Sequence, residues 1–464
     1  MGLYFSRKND MLSLQINTMI VFNKKESFWV FVGDLVVFSV ALWVSLFIRN
    51  GNLPDLSDVG NYVIPFSIIF ALWILVFYIA GLYDKYTRVL RDRLPIMIFN
   101  TQIVNSAIAV LFFYFIPIFG IAPKTILFID LFVSFILIYT WRVYSSYLFS
   151  LRRKESAILI GSGEEVEILE KEINNNSHAN IKFVSVVNSE KINELDFNSE
   201  VVNKIYSENI SIIVIDINNE KAESILPHLY NLIFSKVIFI DFSKLYADLF
   251  DRIPLSLLKY NWFIENISLK RNHVYDFLKR VTDLFFALMF GTISLIIYPF
   301  VYLAIKMDDR GPVFIIQERI GKGGKVIKIP KFRSMNISDG GKWLEKNDNR
   351  ITRVGRFIRK SRIDELPQLW SVVRGDMSLI GPRPDIYGLG VELVKKIPYY
   401  SVRNIIKPGL SGWAQIKQDV VPQSVEETRD RLSYDLYYIK NRSLFLDLKI
   451  ALRTIQILLS RTGK

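Results

Sequence analysis

Four long apolar stretches fill the first third of the chain and limit its fold more than any other feature. They cover residues 28–48, 62–82, 95–117 and 126–148. Each has about the 20 residues that a helix needs to cross the hydrocarbon core of a bilayer. Four such runs in succession, separated by polar gaps, favour a transmembrane four-helix bundle over buried helices of a soluble protein. The first run is too long for a cleavable signal peptide and lacks a small-residue exit.

Basic and non-basic loops alternate along these four runs. Three flanking segments are rich in cations: Lys24 and Lys25, then Lys85, Arg88, Arg91 and Arg93, and finally Arg152, Arg153 and Lys154. By the positive-inside rule, both ends of the bundle are expected in the cytoplasm. Residues 1–25 are therefore predicted to form a cytoplasmic tail and residues 26–150 the transmembrane domain.

Charge and cysteine content restrict the chemistry of the chain. Its 464 residues include 58 lysines and arginines against 45 acidic residues, a formal net charge of +13, with three histidines and no cysteine. Disulfides, thiolate nucleophiles and zinc–cysteine sites are excluded, and a histidine metal cluster or triad is not favoured. The positive balance predicts an anionic partner: nucleic acid, an anionic membrane surface or phosphorylated substrates. Because the chain also has four membrane runs, we expect an anionic membrane surface and phosphorylated substrates as partners, and no nucleic acid.

Residues 151–268 change to short apolar strands alternating with polar helical stretches. The strands are SAILIGSG at 156–163, KFVSVV at 182–187, SIIVIDI at 211–217 and VIFIDF at 237–242. This alternation predicts a Rossmann-like α/β domain with a parallel sheet. Only Gly161 and Gly163 of the dinucleotide fingerprint are present. A structural or regulatory role is therefore favoured, with nucleotide binding as the alternative.

A fifth apolar run, residues 281–305, has basic residues on both sides and contains Tyr298-Pro299. Proline removes a backbone donor and bends a helix. A straight crossing would place a cationic domain on the outer side of the membrane. The charges therefore predict a re-entrant helix that breaks at Pro299 and returns to the same face, with an ordinary fifth crossing as the alternative.

Three cationic motifs lie in the last third of the chain. In RITRVGRFIRK arginines recur at 350, 353, 356 and 359, which predicts cations along one helical face and apolar residues along the other. KFRSM holds Lys331 and Arg333, and GPRP holds Arg383 between two prolines in a stiff loop. For each motif alone, a solvated surface cation or a contact with lipid head groups is the favoured interpretation. Together they favour a phosphate-binding wall.

The stretch SRIDELPQLW places two carboxylates, Asp364 and Glu365, beside these cations. Ser361 three residues before Asp364 predicts a helix cap, and Pro367 is tolerated in a first helical turn. The helix dipole is expected to keep Asp364 ionised and nucleophilic. Carboxylates can attack phosphorus or hold Mg²⁺ against a diphosphate, whereas simple capping residues would have the same local pattern. An acidic pair among arginines next to a membrane suggests phosphoryl transfer from a soluble diphosphate to a lipid.

The segment SRIDELPQLWSVVRGDMSLIGPRP resembles the signature of bacterial sugar transferases, the monotopic phosphoglycosyl transferases. FIIQERIGKGGKVIKIPKFRSM, KPGLSGWAQI and YDLYYI extend the resemblance over residues 275–455. A four-helix bundle joined to a Rossmann-like domain is similar to the larger branch of the family. The resemblance implies transfer of a sugar 1-phosphate from a UDP-sugar to undecaprenyl phosphate with release of UMP. It also implies a place in capsule, O-antigen or exopolysaccharide assembly.

The resemblance also implies roles for individual residues. Asp364 would be the nucleophile, forming an aspartyl-phosphosugar intermediate, and would help to bind Mg²⁺. Glu365 would be the second member of the dyad and assist proton removal from the lipid phosphate. The implied substrate-binding residues are Arg359 for a phosphate group, Arg383 on the nucleotide side, and Lys331 with Arg333 in the basic motif. The chain departs from the family pattern at Tyr298, Pro330 and Arg442.

Residues 269–464 are expected to be the catalytic domain, on the cytoplasmic face of a multi-pass protein of the bacterial inner membrane. UDP-sugar, undecaprenyl phosphate and inner-membrane lipids are the expected partners. The sugar, the pathway and a homodimer through the α/β domain stay open. Two other classes are a transporter or flippase with a cytoplasmic regulatory tail, and a polysaccharide-export regulator that binds nucleotide through SAILIGSG.

Overall fold

The computed structural model divides the chain into two compact units, Met1–Leu245 and Tyr246–Lys464. The structure describes residues 24–83, 94–115, 124–150, 154–175, 179, 181–189, 201–216, 229–230, 237–267, 273–309, 311–335, 351–418 and 421–459. Residues 1–23 of the predicted N-terminal tail, most of the basic loop residues and Arg350 lie outside these ranges, whereas Lys24 and Lys25 belong to the first helix.

The first unit begins with four long helices, which confirm the four predicted apolar runs. They are α1 (Lys24–Asn50), α2 (Leu56–Ile79), α3 (Leu94–Phe115) and α4 (Lys124–Ser150). Each is long and apolar enough to cross a membrane. Large aromatic side chains, including Phe38, Phe66 and Trp73, are fully buried between them, while many others remain exposed on the outer faces. Such outward apolar faces suit a lipid environment.

A buried ion pair joins the first and fourth of these helices. The Arg142 guanidinium donates to both carboxylate oxygens of Asp34, at 3.0 and 2.5 Å, and to the carbonyl of Leu82 at 2.8 Å. The hydroxyl of Tyr83 donates to Asp34 at 2.6 Å. Charges inside apolar bundles are tolerated when they are paired in this way, and the pair fixes the register of α1 against α4.

The same unit continues into the predicted α/β fold. Strands β1 (Glu155–Gly161), β2 (Ile181–Asn188), β3 (Ile212–Ile215) and β4 (Ile238–Asp241) form a parallel sheet in the order β2-β1-β3-β4. Helices α5 (Glu164–Asn175) and α6 (Asn203–Ser207) connect some of them. Gly161, at the end of β1, lies against Val166 of α5: a Cβ atom there would lie 2.8 Å from a Val166 methyl group. The glycine therefore serves close helix–strand packing.

In its described residues, the second unit is mostly helical and has two small sheets. Antiparallel strands β5 (Phe314–Ile320) and β6 (Val326–Phe332) form one sheet, and parallel strands β7 (Ser378–Ile380) and β8 (Gly409–Ser411) the other. The division between units falls inside α7 (Phe242–Phe250). The following helices are α8 (Tyr260–Asn266), α9 (His273–Ser294), α10 (Tyr298–Asp309), α11 (Arg353–Lys360), α12 (Leu369–Arg374), α13 (Tyr387–Lys396), α14 (Trp413–Lys417), α15 (Val425–Lys440) and α16 (Leu444–Leu459).

Helices α9 and α10 form a bent apolar pair that corresponds to the predicted fifth run. They meet at an angle of 55°, as a broken membrane span or a re-entrant loop would. The chain turns at residues 295–297, just before Pro299. In α9, Arg280 donates to the carbonyls of Val372 and Val373 in α12, at 2.7 and 2.9 Å. In α10, Val301 packs in a core cluster with Phe332 of β6. Both limbs therefore pack against elements of the same unit.

Candidate active site

The acidic pair lies on a short 3-10 helix, Ile363–Gln368, which we call the dyad helix. Arg362, with φ 58° and ψ 15°, separates it from α11 and reverses the chain in a left-handed conformation. The prediction that Ser361 caps this helix is wrong. The Ser361 hydroxyl donates backwards to the carbonyl of Phe357 at 2.9 Å, because Ser361 ends α11 and does not begin the dyad helix.

Glu365 is held by two guanidinium groups. Arg383 donates to its Oε1 at 2.6 Å, and Arg362 lies 3.4 Å from the same oxygen. Burial alone would raise the pKa of Glu365, but the charges of Arg383 and Arg362 and the hydrogen bond from Arg383 lower that pKa to about 2. Glu365 is therefore ionised, and its Oε1 is already bound by the two arginines.

Asp364 has a different environment. It is 8% exposed, and its Oδ1 has no hydrogen-bond partner within the part of the chain that the structure describes. Burial, followed by the charge of Glu365, raises the pKa of Asp364 to about 6 in spite of nearby Lys331 and Arg359. The expected lowering by a helix dipole is thus outweighed, because a six-residue 3-10 helix has a weak dipole and the carboxylate is desolvated. Asp364 remains mostly ionised at neutral pH.

The predicted cations come from three separate elements. Lys331 belongs to β6 and Arg359 to the last turn of α11, and both act on the charge of Asp364. Arg383 contacts Glu365 directly. Arg333 follows β6, and its guanidinium lies over Gly311, where a Cβ atom would be 1.8 Å from Nη1. The structure thus brings Lys331, Arg359 and Arg383 to the dyad.

Helix α11 is placed by a close backbone contact and a cap. Thr352 caps its start by accepting from the amide of Gly355 at 2.8 Å. A Cβ atom at Gly355 would lie 2.0 Å from the carbonyl oxygen of Ser334, just after β6. Ile358 is buried, whereas Phe357 is 68% exposed. The expected separation into a charged and an apolar face is therefore incomplete, because the short helix rests on β6 through Gly355 and Ile358 and leaves Phe357 outside.

A buried ionic network, which sequence analysis missed, supports the GPRP loop. The carbonyl of Arg383 accepts hydrogen bonds from Arg403 and Arg431, both at 2.7 Å. Arg403 is 2% exposed, bonds to Asp435 at 3.0 Å and also pairs with Asp385. We call these four residues, Asp385, Arg403, Arg431 and Asp435, the loop-support network. It fixes the backbone from which Arg383 reaches the dyad.

Sequence analysis also missed Arg319, and it overlooked the helical spacing of Arg431 and Asp435. Arg319 of β5 donates to the carbonyl of Pro384 at 2.7 Å, and its charge contributes to the low pKa of Glu365. Arg431 and Asp435 are four residues apart on α15, on the face that also buries Leu432 and Leu436. Opposite charges at helical spacing within an apolar stripe point to a buried pair.

The site can supply one carboxylate to a divalent cation. Within the described ranges, no cluster of three or more His, Cys, Asp or Glu residues could hold a metal ion. Mg²⁺ does not need such a cage, because one or two carboxylates and substrate phosphates hold it in many phosphate-processing sites. The unpartnered oxygen of Asp364 fits that requirement.

Comparison with known proteins places this unit in a family. The family model for "Bacterial sugar transferase" matches residues 274–461. A UDP-N-acetylgalactosamine-undecaprenyl-phosphate N-acetylgalactosaminephosphotransferase of Aeromonas hydrophila is 41% identical over 199 residues, 42% of this chain and 47% of that protein. A UDP-glucose:undecaprenyl-phosphate glucose-1-phosphate transferase of Caulobacter vibrioides is 40% identical over 189 residues, 40% of this chain and 71% of that protein.

A third relative is matched over nearly its whole length. The exopolysaccharide production protein PSS of Rhizobium leguminosarum is 38% identical over 192 residues, 40% of this chain and 96% of that protein. The chain spans about half the length of the Aeromonas relative, and the likeness to the family model, over residues 274–461, lies within the second unit. Within that unit it includes the dyad, the three cationic motifs and the loop-support network. The chain is a member of the bacterial sugar transferase family.

Proposed function

We propose that the protein transfers a sugar 1-phosphate from a UDP-sugar to undecaprenyl phosphate and releases UMP. The observation that carries this proposal is the unequal state of the two carboxylates. Glu365 is bound by Arg383, whereas Asp364 presents an oxygen without a partner beside Lys331 and Arg359. A buried, mostly ionised carboxylate facing cations suits attack on a phosphorus atom that carries negative oxygens. The names of the relatives support the choice of donor and acceptor.

The reaction would proceed by two displacements at the same phosphorus. Asp364 attacks the sugar-bearing phosphorus of the UDP-sugar, a P–O bond forms to its carboxylate, and UMP leaves with the electrons of the broken P–O bond. A phosphate oxygen of undecaprenyl phosphate then attacks the phosphorus of the aspartyl phosphosugar and releases the Asp364 carboxylate. Lys331 and Arg359 offset charge on the phosphoryl oxygens during both steps.

Glu365 would act mainly by positioning Arg383 and through its charge. With a pKa of about 2, it is a weak acceptor for the proton of the lipid phosphate. Its pairing with Arg383 keeps the guanidinium stationary near the nucleotide side, and its charge raises the pKa of Asp364. We therefore assign proton acceptance to Glu365 as a secondary role.

Mg²⁺ is the proposed cofactor, held by Asp364 and by phosphate oxygens of the donor. When bound, it would neutralise charge on the diphosphate. Asp364 serves this purpose because its Oδ1 is the unpartnered oxygen of the dyad.

We propose further that the protein works at the bacterial inner membrane, with the dyad on the cytoplasmic side. Both limbs of the bent pair α9–α10 pack against the unit that holds the dyad, which favours a re-entrant helix over a fifth crossing. The exposed Phe277, Phe285 and Phe300 on these limbs suit burial in one leaflet. Capsule, O-antigen or exopolysaccharide assembly is the proposed setting, and a homodimer is an open arrangement within it.

The test uses the purified full chain with undecaprenyl phosphate, Mg²⁺ and a panel of UDP-sugars. UMP release and a lipid-linked product are expected with at least one sugar, and Asp364→Asn should abolish both. Glu392→Gln, which alters an exposed carboxylate on α13, is the matched control. Mass spectrometry of protein quenched during turnover should find the phosphosugar on Asp364. Wild-type turnover by Asp364→Asn would refute the mechanism, and the absence of UMP with every donor would favour the transporter or regulator alternatives.

A further inference from the structure

A large cavity in the second unit lies apart from the dyad. Its volume is about 780 Å³, and its lining includes none of the six predicted site residues. It is bounded by the first turns of α9, the segment before β8 and the end of α15. Its lining is strongly basic and includes Lys279, Arg280, Lys322, Lys407, Lys440 and Arg442.

Some of these cations already have a carboxylate partner. Lys279 lies 2.9 Å from Asp447, and Arg442 lies 4.0 Å from Asp276. Lys322 and Lys407 differ, because the described residues place no carboxylate within salt-bridge distance of either ammonium group. The lining therefore carries more cations than carboxylates, since Asp276 and Asp283 are its acidic residues.

Two of the cations, Arg280 and Lys407, lie close to the same backbone position, Gly375. A Cβ atom at Gly375 would lie 3.5 Å from Nη2 of Arg280 and 3.5 Å from Nζ of Lys407. Arg280 is held there by hydrogen bonds to the carbonyls of Val372 and Val373, at 2.7 and 2.9 Å. Its position is thus fixed by the end of α12 and does not depend on a ligand.

The charge balance at this point agrees with the geometry. Burial and the charges of Arg280 and Lys322 lower the pKa of Lys407, while Asp283 and Asp376 act in the opposite direction. Like charges that the fold holds together repel one another, and an anion between them relieves the repulsion. Phosphate is well suited, because its several oxygens accept charge-assisted hydrogen bonds from ammonium and guanidinium groups together.

The size of the cavity and the apolar residues in its lining indicate a ligand larger than inorganic phosphate. A volume of about 780 Å³ lies in the range of sites for small organic molecules, roughly 300–1,000 Å³. Ile405, Ile406 and Ile439 form apolar parts of the lining, and Tyr275 adds an aromatic ring. The ligand should therefore combine phosphate with an organic group.

We propose that this cavity binds a phosphorylated organic anion, with Arg280, Lys322 and Lys407 as the phosphate-binding groups. Such a ligand has two sources, a soluble phosphorylated metabolite and the head group of an anionic lipid. The cavity side of α9 carries Asp276, Arg280 and Asp283, opposite the exposed stripe of Val274, Phe277 and Val281. Both sources present a phosphate group to the three cations, and the experiment distinguishes the soluble ligand from the lipid.

Lysine footprinting of the full chain in lipid nanodiscs tests the proposal without any measurement of turnover. An amine-acylating reagent labels the lysines, and mass spectrometry gives the rate at each position. The first arm adds inorganic pyrophosphate to phosphatidylcholine nanodiscs. The second replaces phosphatidylcholine with phosphatidylglycerol and adds no pyrophosphate. Lys395, exposed on α13 and outside the cavity, is the internal control.

We expect labelling of Lys322 and Lys407 to slow at least about fivefold in one or both arms, as expected for occupied charge-assisted contacts. The rate at Lys395 should stay constant. Protection by pyrophosphate alone identifies a soluble ligand, and protection by phosphatidylglycerol alone identifies a lipid. Equal labelling of Lys322 and Lys407 in every condition overturns the proposal.

A second measurement tests whether the cavity is the site at which pyrophosphate binds. Pyrophosphate is titrated into the Arg359→Gln protein, in which binding at the dyad is weakened, and into the same protein with Lys322→Gln and Lys407→Gln added. The cavity substitutions should weaken binding at least about tenfold, since two phosphate-binding ammonium groups are lost. Lys395→Gln in the same background should leave the affinity unchanged. Where pyrophosphate protects the two lysines in the first experiment, an equal affinity in all three proteins contradicts the proposal.

Discussion

Arg383 donates a 2.6 Å hydrogen bond to Glu365, and this contact distinguishes the two neighbouring carboxylates. Glu365 is thereby bound to the GPRP loop, whereas Oδ1 of Asp364 has no hydrogen-bond partner among the described residues. A pair of adjacent acids thereby becomes one fixed anion and one available anion. The pKa values differ in the same sense: Arg383 and Arg362 lower the pKa of Glu365 to about 2, whereas burial and the charge of Glu365 raise the pKa of Asp364 to about 6.

The raised pKa of Asp364 predicts an acid limb in the pH profile. Only the ionised carboxylate attacks phosphorus, so the rate of UMP release should fall as the pH drops through about 6, approaching tenfold per pH unit. The check is initial-rate measurement from pH 8 to pH 5. A rate that stays constant down to pH 5 would show that Asp364 does not titrate in this range.

Asp364→Asn should stabilise the folded protein. At pH 7 the wild-type carboxyl is ionised both when folded, with a pKa of about 6, and when unfolded, with a pKa near 3.8, so folding buries a charge. Removing that charge should raise the free energy of unfolding by up to about 3 kcal/mol. The gain should shrink as the pH falls from 6 towards 4, where the folded wild-type carboxyl is protonated.

Thermal unfolding in detergent at pH 7 and pH 5 measures this difference. Glu392→Gln, which removes an exposed carboxylate, should leave the unfolding temperature unchanged. A lower unfolding temperature for Asp364→Asn at pH 7 would contradict the electrostatic assignment.

The loop-support network predicts two distinct defects. Arg403→Met leaves Asp385 and Asp435 buried without their main partner and should destabilise the second unit by about 3–5 kcal/mol. Arg431→Lys keeps the charge but cannot reproduce the guanidinium fork that reaches the Arg383 carbonyl and Asp385. It should remain folded and turn over more slowly.

The distinguishing measurement is the pH profile of Arg431→Lys. When the loop shifts, Arg383 holds Glu365 less firmly, and the acid limb that belongs to the dyad should move. Arg429→Lys, on an exposed position of the same helix, is the matched control and should behave as wild type. An unchanged pH profile together with a lower rate would assign Arg431 a purely structural role.

The contact between Gly355 and Ser334 predicts unequal tolerance of two glycines. Gly355→Ala puts a methyl group 2.0 Å from a backbone oxygen, so α11 must move and carry Arg359 away from Asp364. We expect a loss of about 1–3 kcal/mol in stability and reduced UMP release. At Gly291 a methyl group would make an ordinary 3.6 Å contact with Trp370, and Gly291→Ala should be tolerated. Equal activities of the two variants would contradict this placement of α11.

Much of the fold follows from periodicity and length. The apolar runs predicted the four bundle helices, and the run SAILIGSG with its successors predicted a parallel sheet, because these signals are local. The fifth run predicted the bent pair, although the turn lies at residues 295–297, just before Pro299. A proline disturbs the turn that precedes it, so the break falls on its N-terminal side.

The site was predicted less completely, since its geometry depends on contacts between distant segments. The acidic pair and the cations at 331, 359 and 383 could be found from motifs, and the structure brings them together. The pair of Arg403 and Asp435 could not, because Arg403 lies in the 3-10 helix Tyr400–Ile405 and Asp435 lies in α15, 32 positions later. Burial also reversed the expected effect on Asp364, and burial of a single carboxylate is a tertiary property.

Arg362 sets the spacing between the cations of α11 and the acids of the dyad helix. Its left-handed conformation turns the chain within one residue, so that Arg359 and Asp364 face each other across the turn. Substitution by glycine would relieve the backbone strain at this position and would remove the guanidinium that lies 3.4 Å from Glu365. An inserted or deleted residue would instead rotate Asp364 by about a third of a turn, because a 3-10 helix has roughly three residues per turn. The number of residues between Arg359 and Asp364 is consequently a stricter requirement for this protein than the identity of Arg362 itself.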